Sequence, residues 1–157
     1  KALKSYWAVR DSVRSKKYEL AIQDKEQFKK QIQSAEEQMN AVAEGSLLKS
    51  FSDLGDATPP EKFARDIIDV KVESESCAVI IVVIKNTTPI PAGGEVDKFD
   101  EERRRDGERY KYVLEKNQAG WRVSEIWSWD TYPSRDWKKM WPRDGKPYVP
   151  SLTYGGI

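Results

Sequence analysis

Residues Cys77, Ala78, Val79, Ile80, Ile81, Val82, Val83 and Ile84 form an unbroken apolar run in a chain whose mean hydropathy is -0.76 and in which 34% of side chains are charged. The run is far shorter than the ~20 residues that cross a bilayer as a helix. Most of its side chains branch at Cβ, which restricts χ1 and favours the pleated conformation over the helix. A strand that is apolar at every position has both faces covered, so it lies inside a sheet and not at its rim. No other stretch approaches ~18 apolar residues, and no membrane-spanning helix is expected.

The segments around this run alternate with a period of two. Ile68, Val70 and Val72 interleave with Asp69, Lys71 and Glu73, which predicts a strand with one wet face and a turn at residues 73–76. Tyr110, Tyr112 and Leu114 interleave with Arg109, Lys111 and Glu115. Asn117 to Gly120 then turns the chain into residues 121–129, which predicts an antiparallel hairpin. In that last strand Trp121, Val123, Trp127 and Trp129 share one parity, so Trp121 and Trp127 are expected in the core. Residues 86–107 hold Pro89, Pro91, Gly93 and Gly94 and read as a long hairpin connection.

The first third has helical period. Leu3, Tyr6, Trp7, Arg10 and Val13 mark one helix. Phe28, Ile32, Ala35, Met39 and Val42 mark another, with Asp24 as N-cap, Gln27 at its third position and Gly45 as the stop. Leu47, Leu48, Phe51 and Leu54 add a short helical piece ending near Gly55, and Thr58, Pro59 and Pro60 predict a cap and first helical turn leading through Phe63. Helices followed by an antiparallel sheet make an α+β domain, assigned to residues 1–130. Residues 131–157 hold four of the eight prolines and read as a Pro/Trp-rich tail packed on that domain, without a continuous strand or helix.

Composition removes whole classes of chemistry. The 157 residues include no histidine, so histidine-based triads, histidine general bases and histidine-ligated zinc are excluded. The single cysteine, Cys77, has no intrachain partner and sits in the apolar run, where it reads as inert core. It favours a reducing compartment, the cytoplasm, with the periplasm as the alternative if a leader precedes Lys1. Gly93-Gly94 lacks the lysine and context of a phosphate loop, and residues 100–102 lack calcium-loop spacing beside Arg103, Arg104 and Arg105. No cofactor and no metal is expected. The 27 basic and 26 acidic side chains nearly cancel, which argues against nucleic acid as the partner, although residues 56–107 carry 12 acids against 8 bases.

Residues 110–116 (Tyr-Lys-Tyr-Val-Leu-Glu-Lys) and 120–126 (Gly-Trp-Arg-Val-Ser-Glu-Ile) resemble the closing hairpin of the NTF2-like (SnoaL-like, cystatin-like) superfamily. The extension Trp127-Ser128-Trp129-Asp130 is similar to NTF2-fold immunity proteins of bacterial polymorphic toxin systems. The resemblance implies a cone, with N-terminal helices against a strongly bent antiparallel sheet. It also implies a non-enzymatic function: neutralising a cognate protein toxin by stoichiometric binding, with a homodimer compatible with the fold. Trp129, Trp137 and Trp141 would be the anchors, and Asp130, Arg135, Lys138 and the charged loop Asp97 to Arg105 would supply complementary charge. An acidic middle segment would suit a basic toxin. The alternative from another class is a small-molecule pocket or isomerase, with an acid such as Asp69 or Asp130 and with Tyr110 and Tyr112 as donors.

Overall fold

A computed structural model describes residues 1–23, 34–35, 37–43 and 59–141. A long helix α1 (Ala2–Gln23) leads into an open five-stranded antiparallel sheet: β1 (Phe63–Ser74), β2 (Cys77–Asn86), β3 (Glu108–Asn117), β4 (Gly120–Asp130) and β5 (Asp136–Trp141), in spatial order β1-β2-β3-β4-β5. A helix α2 (Lys98–Asp106) lies in the β2–β3 connection. The architecture is α+β, as the change of period from helical to two requires.

The helix marked by Leu3 and Tyr6 continues through residues 16–23, because nothing in that stretch breaks it. Its stripe of Leu3, Tyr6, Trp7 and Val13 is buried against Val82, Tyr112, Leu114 and Val123 of the sheet. Tyr6 and Trp7 both meet Tyr112 edge-on, at ring-centroid distances of 6.0 and 5.9 Å, an orientation that sets ring edge against π face. Arg65 staples the same helix to β1, donating from both terminal nitrogens to Asp11 at 2.6 and 2.8 Å. Its guanidinium lies 5.5 Å from the centroids of Trp7 and Phe63, which cover a charge otherwise costly to bury.

Of the second helix, residues 37–40 form a turn with Met39 buried, and Ala43 then bridges to Val123 of β4. Asp24, Gln27, Phe28, Ile32 and Gly45 lie outside the described residues, as do Leu47, Leu48, Phe51, Leu54, Gly55 and Thr58.

Several sequence expectations are corrected. Pro59 and Pro60 do not begin a helix: residues 59–62 are irregular and Phe63 opens β1, whose ladder to β2 outweighs the local proline signal. The β2–β3 connection is not all loop. Asp97 caps α2, accepting from the Asp100 amide at 2.8 Å, and acids in its first turn with arginines in its last suit the helix dipole. Gly107 ends α2 at φ 80°, where an added Cβ would lie 2.5 Å from Val83 Cγ1. Residues 136–141 do form a strand, pairing with β4, so the sheet reaches beyond residue 130 to Trp141. β2 is internal as expected, yet only its helix side is tightly covered. Ala78 and Val82 are buried there, while Val79, Ile81 and Val83 on the other side are half-buried.

Candidate interaction face

Between β3 and β4, Val113 faces Glu125 but Leu114 faces Val123, so Ser124 is an extra residue on β4. Its hydroxyl donates to the Val113 carbonyl at 3.2 Å, which satisfies a group that is otherwise buried. A bulge of this kind reverses the parity of everything beyond it. Trp121 and Val123 therefore face α1 together with Ile126, whereas Glu125, Trp127 and Trp129 face the opposite way. Trp121 packs against the core as expected; Trp127 does not.

Beyond the bulge, β4 and β5 bring Trp129 and Trp137 opposite one another, edge to face at 5.3 Å and 72°. Lys111 of β3, directly across from Trp127, places its ammonium 4.4 Å from the Trp127 ring and 4.9 Å from the Trp137 ring. Glu125 accepts from the Trp127 indole at 2.8 Å and pairs with Lys139 at 2.7 Å. Burial pushes the Glu125 carboxyl upward. The hydrogen bonds from Lys139 and Trp127, with the charges of Lys139 and Lys111, outweigh it and hold the group below the usual carboxylate range. Three half-buried indoles thus lie on the face opposite α1, two of them held by lysines and a carboxylate and the third, Trp129, by Trp137.

The expected anchors divide. Trp129 and Trp137 belong to this face, but Trp141 is buried with the core, where β5 turns it towards the helix side opposite Ile126. Asp130 is consumed in the β4–β5 hairpin. It pairs with Lys138 and accepts from the Tyr132 amide and the Ser134 hydroxyl at 3.2 and 3.0 Å, partners that hold its carboxyl low. Arg135 is exposed in that hairpin with φ 45°. In α2, Arg103 reaches Glu108 at 3.1 Å, Arg104 donates to the Thr88 carbonyl at 2.7 Å and Arg105 pairs with Asp106 at 2.8 Å, so the arginines of the charged segment are engaged internally. Lys111, expected only as a wet-face strand residue, and Trp127, expected in the core, sit at the centre of the face. The signal that could have found them is the cross-strand register, which requires the bulge.

The alternative pocket residues are not brought together. Asp69 faces Ile81 and thus shares the Lys111 side, while Tyr110 and Tyr112 point to the α1 side. Tyr110 instead donates to Glu108 at 3.2 Å. Burial raises the Tyr112 and Tyr110 hydroxyls well above the usual phenol value. Among the described residues no group of three or more metal-ligating side chains could hold an ion, and no helix is long and apolar enough to cross a membrane. Compared with known proteins, the chain matches no family model, no curated protein and no solved structure.

Proposed function

We propose that this chain is a binding protein of the NTF2-like cone type that acts by gripping one protein partner with the tryptophan–lysine face of β3, β4 and β5. The observation that carries this reading is the placement of Trp127, Trp129 and Trp137 away from the helix, with Trp127 and Trp137 held by Lys111, Lys139 and Glu125 and Trp129 packed on Trp137. Large rings with few rotors lose little entropy when an interface forms, and here their orientation is already set. Indoles beside ammonium groups suit a partner surface that is apolar at its centre and acidic around it.

Within that class the hairpin's resemblance supports an immunity protein that blocks a bacterial toxin by occlusion. The lysines of the face suit an acidic patch on the toxin's contact surface, while the acidic middle segment suits a toxin that is basic elsewhere. Co-expression with a toxin encoded beside this gene should restore growth, and the purified pair should form a one-to-one complex. Trp127→Ala and Trp137→Ala should each weaken it by about 2 kcal/mol or more, roughly thirtyfold. Full affinity with both tryptophans removed would place the contact elsewhere, and failure to rescue any neighbouring toxin would end the immunity reading.

A pocket protein is the second reading. Its support is the Glu108–Tyr110 hydrogen bond, together with the buried Tyr6 hydroxyl and Arg65 Nε on the helix side, which have no hydrogen-bond partner among the described residues. Turnover or saturable binding of a small acid, lost in Tyr110→Phe, would favour it.

A further inference from the structure

The two edges of the sheet are closed to different extents. On one side β5 covers residues 126–130 of β4, and Ala43 bridges to Val123 where β5 does not reach. On the other side β1 runs for 12 residues without a proline, and among the described residues nothing pairs with its outer edge. Ile67, Val70 and Val72, on the side of the sheet that carries the core, are 40%, 55% and 69% exposed. An unpaired edge of this length with an apolar row beside it is a template for another strand.

We propose that the strand added there is β1 of a second copy of this chain, running antiparallel about a two-fold axis through Val70. A two-fold axis that pairs identical antiparallel strands stands normal to the sheet, so it passes between two copies of one residue and the sheet faces stay in step. Centring on Val70 sets Asp69 opposite Lys71 of the second copy and Lys71 opposite its Asp69. Val70 then meets Val70, and Val72 lies beside Ile68, the extra residue of a bulge between Ile67 and Asp69 that limits the regular pairing to residues 69–72.

The neighbouring registers fail on charge. Centring on Asp69 or on Lys71 sets that residue against its own copy. Centring on Val72 pairs Lys71 with Glu73 but opposes Asp69 to Glu75. Like charges directly opposite one another destabilise a strand pair and opposite charges support it, so the charge pattern selects the Val70 register. The two Ile/Val rows then join into one apolar band along a sheet with five strands from each copy. Burying that band supplies the drive, and the charges set the register.

Sedimentation equilibrium of the whole chain tests this. The native protein should be a dimer at micromolar concentration. Asp69→Lys, which opposes lysine to Lys71 twice, should raise the dissociation constant at least tenfold, as should Lys71→Asp. The double variant carrying both changes should recover the dimer. Both residues are exposed, so circular dichroism should show an unchanged fold. A second measurement is independent of charge. In a Cys77→Ala background, Val70→Cys should oxidise to a dimer linked 70 to 70, because directly opposed strand residues lie ~4.5–5.5 Å apart, within disulfide reach. Ala64→Cys should not. A native protein that stays monomeric would overturn the proposal, as would single variants that remain dimeric, a double variant that does not recover, or no cross-link at position 70. Trp127→Ala should leave the dimer intact, so this result stands or falls apart from partner binding by the tryptophan face.

Discussion

The two faces of the sheet formed by β3, β4 and β5 carry similar residues and have opposite fates. On the side of α1, Tyr112, Leu114 and Val123 are buried among Leu3, Tyr6 and Trp7. On the other side, Lys111, Trp127, Trp129 and Trp137 contact one another and remain half-buried. Aromatic content therefore does not distinguish core from contact surface. What distinguishes them is whether a helix covers the face, and whether the rings are held by charges that water can still reach. The covered face stabilises the fold. The open face keeps its indoles in position for another molecule.

Alkaline titration should break the covered face first and hardest. Burial raises the Tyr6, Tyr110 and Tyr112 hydroxyls above the usual phenol value, with the Glu108 charge and hydrogen bond adding to it at Tyr110. Above pH ~10 the unfolded chain releases these protons while the folded chain keeps them. Each tyrosine then removes about 1.4 kcal/mol of stability per pH unit until its folded value is passed. Denaturation followed by circular dichroism should steepen from pH ~10 upward. A stability flat to pH ~11.5 would mean that these hydroxyls are not buried in solution.

Substitution separates the faces at neutral pH. Leu114→Ala should cost about 2–5 kcal/mol in urea denaturation, a large share of an ordinary domain's stability, because it removes buried methyl groups and leaves a cavity. Trp127→Ala should cost only about 1–2 kcal/mol, the worth of its lysine contacts and its bond to Glu125. Equal losses in the two variants would show that the outer face is covered as well. Trp141→Ala should behave as Leu114→Ala does, because Trp141 belongs to the buried set.

The smallest effect sharpens the open face alone. Glu125 is held below the usual carboxylate range, so its contribution is present above pH ~4.3 and fades as pH falls through its lowered folded value. Glu125→Gln should change stability by less than ~1 kcal/mol, since the pair with Lys139 is partly exposed, while shifting tryptophan emission as Trp127 loosens. Unchanged emission would show that Glu125 does not orient the ring.

Much of this was legible in the chain itself. The apolar run predicts β2 inside the sheet, the Asn117 to Gly120 turn predicts the β3–β4 hairpin, and the spacing of Leu3, Tyr6 and Val13 predicts α1. The site was legible as a concentration of tryptophans between residues 121 and 141, but not as a surface. One unpaired residue, Ser124, turns Trp127 and Trp129 to the face opposite Trp121, and no periodicity count along β4 reveals it. Trp141 lies inside for a related reason: β5 pairs with β4, and a register shift between Ile126 and Trp127 sets Trp141 opposite Ile126 on the helix side.

Residue type and spacing determined which segments are helix or strand, because those preferences act between near neighbours along the chain. Which side of a strand faces away from α1, whether Asp130 is free or consumed by its own hairpin, and which edge lacks a neighbour among the described residues were decided only by the tertiary structure. Each depends on register against residues distant in sequence, and a shift of one position in that register exchanges the inside of the sheet for the outside.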